Sequence, residues 1–178
     1  MTASSAQPES ALIRRAQQGD EAAFDRLVEL FGARVYNIAY RMLGHADDAH
    51  DATQEAFLRV YDALDRFRAD SSFTTWLYRI VMNVCYDELA RRRRRPPTLT
   101  ELESADAALP ASAERLPGHD NTEDAVLQAE RRRALHAAIA ALPEAFRAVI
   151  VLYDLQGFSY EEIAAILRVN LGTVKSRL

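Results

Sequence analysis

The chain has 178 residues, 49% of them apolar, with 6 Gly, 6 Pro, one Cys and a formal charge of −4. That length fits one large domain or two small ones with a real core, and the lone Cys85 excludes an internal disulfide and points to a reducing cytosol. No apolar run approaches the roughly 20 residues that span a bilayer, and the opening MTASSAQPES has no basic-then-apolar leader, so the sequence predicts a soluble, cytoplasmic protein.

Helix formers dominate and glycine and proline are few, which favours helix over sheet. Leu12–Gln18 is a short helix that Gly19 ends. Asp20 can cap a second helix, with Phe24, Leu27, Val28, Phe31, Val35, Ile38 and Met42 at helical spacing and Gly44 as its stop. Asp47 can cap a third, whose stripe is Ala49, Ala52, Ala56, Val60 and Leu64. After the loop RFRADSS, Ser72 or Thr74 starts a fourth helix, which runs into five arginines and stops at Pro96. Nothing reads as a strand.

Residues 96–121 hold four prolines and no sustained periodicity, the signature of a linker. They carry one basic and five acidic side chains, so the whole net charge sits there and the flanks are balanced. Beyond it, Thr122 opens a helix to about Leu142, and Pro143 begins another that Gly157 ends. The fold class is all-α: two small helical domains, 1–95 and 122–178, joined by a flexible acidic linker, 96–121.

SYEEIAAILRVNLGTVKSRL, residues 159–178, has the pattern of a helix-turn-helix. Ser159 and Glu162 form a capping box. Asn170 can cap the second helix, from which Val174 and Leu178 would pack back onto the first. Gly172, Thr173, Lys175, Ser176 and Arg177 then face outward, a set that suits base edges and phosphates. The plainer reading is a surface helix pair with solvated charges.

Two other stretches carry chemistry. Aromatics and arginines interleave from Arg66 through Phe67, Arg68, Phe73, Trp76, Tyr78 and Arg79 to Asn83, which supplies rings for bases and cations for phosphates of single-stranded DNA. Some of these rings, at spacings of three and four, must instead be core. Arg91–Arg95 are more cations than a helix end requires and favour a polyanion. The segment HADDAHDATQEAF gathers Asp47, Asp51, Gln54 and Glu55 on one face, either a solvated surface or a dock for a basic protein. A metal there is disfavoured, because His45 and His50 are five apart with no third ligand converging. No phosphate-binding glycine loop or nucleophile–base pair is present, so no enzyme, cofactor or small-molecule substrate is expected.

DATQEAFLRVYDAL (51–64), FTTWLYRIVMN (73–83), SYEEIAAILRV and GTVKSRL (159–178) together resemble the extracytoplasmic-function class of bacterial sigma factors, over about residues 10–178. The resemblance implies a subunit that rides on RNA polymerase core and directs promoter-specific initiation. It implies that Asp48, Asp51, Gln54, Glu55 and Phe57 dock on the clamp helices of the β′ subunit, with further contact to β. Ala63, Phe67, Tyr78 and Asn83 would line a pocket for a flipped minus-ten base, supported by Trp76 and Arg79, with Arg91 and Arg92 also toward DNA. Thr173, Lys175, Ser176 and Arg177 would read the minus-thirty-five box. The acidic linker would lie in the polymerase's basic channel, and an anti-sigma factor is an expected partner.

The sequence departs from the family pattern in two places. Arg168-Val169-Asn170 stands where the family often has Gly and then Val-Pro. The family's last helix continues with further basic residues where this chain stops at Leu178, which implies a weaker minus-thirty-five contact. The rivals are a sigma-like decoy, which need not keep the basic-aromatic set, and a stand-alone helix-turn-helix regulator, which leaves the acidic face unexplained.

Overall fold

A computed structural model describes residues 9–68, 70–94, 122–154 and 156–178, and within these it is all-helical. The expected linker, Pro96 and Arg95 lie outside the described residues. The helices are α1 (Glu9–Gln17), α2 (Glu21–Leu43), α3 (Ala46–Ala63), α4 (Phe73–Arg94), α5 (Thr122–Ala141), α6 (Glu144–Asp154), α7 (Tyr160–Leu167) and α8 (Leu171–Arg177), with a 3-10 turn at Leu64–Arg66.

Local chemistry sets most of the boundaries. Asp20 accepts from the Ala23 amide at 3.1 Å and so caps α2. The Arg15 guanidinium bonded to it, helped by that amide, holds the Asp20 carboxyl below its usual range. Gly44 closes α2 in the left-handed region, at φ 79°, with its amide on the Tyr40 carbonyl. Ser72, of the two starts expected for α4, is the cap, since its hydroxyl accepts from the Thr75 amide at 3.1 Å. The expected Asp47 cap is corrected. The chain re-enters helix at Ala46 with His45 extended ahead of it and no side-chain cap. Asp47 therefore stands inside the first turn, where its charge opposes the positive helix end.

The first four helices enclose one core. Leu27, Val35, Ile38 and Met42 of α2 meet Ala49, Ala52, Ala56 and Val60 of α3 and Leu77 and Val81 of α4, all buried. The alanine stripe lets α2 and α3 approach closely. A second core joins Val149 and Leu152 of α6, Ile163 and Ile166 of α7 and Val174 of α8. The two halves also pack on each other: α5 and α6 lie against α2, and α7 lies against α4.

Ser159 and Glu162 form the reciprocal capping box of α7, with bonds of 3.2 and 2.9 Å. Arg168 ends α7 left-handed at φ 54°, and Asn170 caps α8 by accepting from the Thr173 amide at 2.7 Å. Val174 is buried between α7 and α6. Leu178 does not follow it inward and is 45% exposed, because it stands past the last helical residue, beyond the turn that packs.

Candidate nucleic-acid interface

The loop before α4 is shaped by rings. Phe73 is core and packs on Phe31 at 5.4 Å between centroids. Phe67 lies edge-on to Phe73 at 5.7 Å, and Trp76 packs on Phe67 at 5.1 Å and on Phe73 at 5.7 Å. Phe67 and Trp76 are therefore half-buried rims of one aromatic cluster. The Gln17 amide, at the end of α1, donates to the Leu64 and Phe67 carbonyls at 3.0 and 2.9 Å. It fixes the height of Phe67 above the helix. Nothing in the sequence announced this residue, because its partners lie 47 and 50 positions away.

Helical geometry divides the remaining α4 residues. Trp76, Arg79 and Asn83 fall on one strip at i, i+3 and i+7. Asn83 on it is exposed and Arg79 half-buried. Burial, and secondarily the nearby charge of Arg168, pushes the Arg79 guanidinium down from its usual value. Tyr78 falls on a different flank and is 1% exposed. Its ring meets Phe158 edge-on at 5.2 Å, and burial pushes its hydroxyl up. Ala63 sits half-buried at the end of α3, near Phe67. The structure thus brings Ala63, Phe67, Trp76, Arg79 and Asn83 to one region and turns Tyr78 away from solvent.

Much of the arginine run is engaged within the chain. Arg91 pairs with Glu88 at 2.8 Å, and Arg93 pairs with Glu144 of α6 at 3.2 Å. Arg92 pairs with Asp48 and donates to the Leu43 carbonyl at 2.9 Å. One ion pair therefore links a residue expected to meet polymerase with one expected to meet DNA.

On α3, Asp51, Gln54 and Glu55 are exposed, and Glu55 pairs with Arg59 at 2.7 Å. Phe57, expected as a docking contact, is 8% exposed and belongs to the core stripe beside Ala56 and Val60. The apolar residues bared on this helix are Leu58, 62% exposed, and Tyr61, 51% exposed. Their spacing of three, opposite the alanine stripe, was the signal that could have found them. His50 stacks on Tyr36 at 4.6 Å, and among the described residues no three His, Cys, Asp or Glu groups converge as metal ligands.

At the far end, Lys175 and Ser176 are exposed and Thr173 and Arg177 half-buried. The Thr173 hydroxyl donates to the Asn170 carboxamide oxygen at 2.8 Å, and the Ser176 hydroxyl donates to the Thr173 carbonyl at 3.0 Å. Both hydroxyls are thereby oriented with lone pairs outward, and two cations flank them. Such a helix can accept from base amines and pair with phosphates.

Family comparison agrees with both halves. Residues 27–95 match the model for Sigma-70 region 2, and residues 132–178 match that for Sigma-70, region 4. The RNA polymerase sigma-H factor of Pseudomonas aeruginosa is 38% identical over 94% of this chain and 86% of its own length. The ECF RNA polymerase sigma-E factor of Escherichia coli is 41% identical over the same shares. The chain belongs to the extracytoplasmic-function class of sigma-70 factors.

Two solved relatives extend the comparison of this sigma factor to structure. The sigma factor RpoE in complex with the anti-sigma factor NepR, from Bartonella quintana, aligns at TM-score 0.63 and 26% identity, over 87% of this chain and 89% of that one. An engineered region 2 of sigmaE in complex with GTAAAA aligns at TM-score 0.50 and 35% identity, over 54% of this chain and all of that one. No described helix of this sigma factor is long and apolar enough to cross a membrane.

Proposed function

We propose that this sigma factor binds RNA polymerase core through α3 and directs initiation through two separate DNA contacts, acting in the cytoplasm and without catalysis of its own. The domains divide as 1–95 for core binding and minus-ten opening and 122–178 for minus-thirty-five recognition. Asp51, Gln54 and Glu55, with Leu58 and Tyr61 beside them, form the docking face for the basic clamp helices of β′; Asp48 lies at its edge and Phe57 supports it from below. The β subunit is a further contact, and an anti-sigma factor is the partner that holds the protein in reserve. The acidic segment 96–121 suits the basic channel of the polymerase.

The observation that carries the DNA assignment is the strip on α4. Trp76, Arg79 and Asn83 stand together above the Phe67–Phe73 cluster, offering a ring, a cation and an edge-reading amide at one spot. Capturing an unstacked base costs a few kcal/mol and needs such a set to recover it. Thr173, Lys175, Ser176 and Arg177 make the duplex contact, and Arg91 and Arg92 add to the field near melted DNA.

Polymerase core reconstituted with the protein should initiate from a subset of genomic promoters. No initiation from any promoter would overturn the reading. Trp76→Ala and Asn83→Ala should lower promoter opening, read by permanganate reactivity, by about tenfold or more and leave core binding intact. Equal loss of core binding would sink the residue assignment.

A further inference from the structure

Helix α4 is buried over more of its circumference than one packing face requires. Leu77, Val81 and Val84 form the flank that faces the first core. Tyr78, Met82, Cys85 and Leu89 continue the burial around the helix at i, i+4, i+7 and i+11. That second flank begins where Tyr78 meets Phe158, and α7 lies against α4 there.

Phe158 is aimed at Tyr78 by the backbone. Gly157, at φ 70°, ends α6, with its amide on the Tyr153 carbonyl at 3.0 Å and the Phe158 amide on the Leu152 carbonyl at 3.2 Å. This is the Schellman arrangement, in which the residue after the left-handed glycine carries the apolar contact. Three further contacts surround the joint. Arg147 of α6 donates to the Met42 carbonyl at 2.5 Å, Glu144 pairs with Arg93 at 3.2 Å, and His136 of α5 stacks on Tyr40 at 4.8 Å. Each is a single bond or ring contact at a partly exposed site. Arg79 and Arg168, of like charge, face each other near the same joint. The joint is therefore specific in geometry and modest in strength, unlike either core.

We propose that the C-terminal half masks the promoter-opening face of the free chain, with Phe158 as an internal plug that occupies the space against Tyr78 where a captured base would pack. The inference rests on the reading of α4 as the opening element and adds that melted DNA and Phe158 exclude each other. DNA affinity of the free chain is then reduced by the fraction of molecules that are open. Polymerase, by holding the two halves apart, supplies the opening.

The test uses the full chain with Tyr40→Cys and His136→Cys, a pair that contacts across the joint and lies outside the proposed DNA and docking faces. A short bis-methanethiosulfonate bridges the two thiols and reduction removes it; Cys85 is buried and serves as the internal control in the unsubstituted chain. Probes are fluorescein-labelled single strands, the GTAAAA hexamer and a random-sequence pool of equal length. The bridged protein should bind at least about tenfold more weakly than the same sample after reduction, and Phe158→Ala should bind about tenfold more tightly than the unsubstituted chain. Equal binding by bridged and reduced protein overturns the mask. If Phe158→Ala loses helicity by circular dichroism, the bridged–reduced comparison, which keeps Phe158, decides alone. Initiation with core separates the two readings. Failure of the unsubstituted chain to initiate overturns the function, whereas equal initiation by bridged and reduced protein overturns only the mask.

Discussion

Arg147 ties three helix ends together, and its removal gives a prediction that can be worked through. One terminal nitrogen donates to the Met42 carbonyl, at the end of α2, and the other donates to the Ala140 and Leu142 carbonyls, at the end of α5. All three acceptors belong to carbonyl ends left without intrahelical donors, and the cation also meets the negative ends of two helices. A hydrogen bond to a charged group contributes about 1.5–3 kcal/mol when well shielded. The side chain is only partly buried, and burial pushes its guanidinium down from the usual value. Water can replace much of what is lost, so the three bonds together contribute about 2 kcal/mol rather than their sum. For a chain of this size Arg147→Ala should lower Tm by about 4–8 °C, read by circular dichroism. Hydrogen exchange should accelerate first in α5 and at the C-terminal turn of α2. Arg147→Lys should recover less than half of the loss, because an ammonium cannot span the acceptors as the fork does. An Arg147→Ala protein within about 0.5 kcal/mol of the original, or a lysine that restores it fully, would refute the reasoning.

The turn of the helix-turn-helix and the ring contact at the joint give two more expectations. Arg168→Gly should stabilise the protein by about 0.5–1 kcal/mol, since arginine is held at φ 54° where glycine is unstrained, and the gain should shrink with added salt as the facing charge of Arg79 is screened; a fall in Tm would sink the strain argument. His136 is held below its usual value by burial and then by the Arg41 charge, so its contribution to the joint is complete above about 6.5 and is lost as pH falls below that. Exchange protection of α5 should therefore drop between pH 7.5 and 5.5, and His136→Phe should remove that slope; identical slopes for both proteins would count against it.

The helices were legible because each carried its own local signal. The apolar period of α2, the alanine stripe of α3 and the caps Asp20, Ser159 and Asn170 all act within a few residues, and each is where the sequence places it. Asp47 was misplaced by one turn position because an acid is favourable both as a cap and just inside it. The site was legible where it follows helical spacing, as with Trp76, Arg79 and Asn83. It was not legible where contacts span the chain. Gln17 reaches a loop some 50 residues on, and Arg147 reaches a carbonyl 105 residues back. Phe57 and Leu58 show a finer limit: neighbours in sequence, they differ by 100° around the helix, and the side that faces the core depends on where α2 and α4 lie.

The Asp48–Arg92 pair makes the polymerase surface and the DNA surface share one bond. A charge reversal at Asp48 leaves Arg92 without that carboxylate, and a neutral residue at Arg92 leaves Asp48 without its guanidinium. Each single substitution should then register in both the core-binding and the promoter-opening assay. Their separate effects will not sum, since residues in contact violate additivity. Genetic screens that sort variants of this factor by which partner they fail to bind will assign these two positions to both classes, and a double-mutant cycle is the measurement that sorts them.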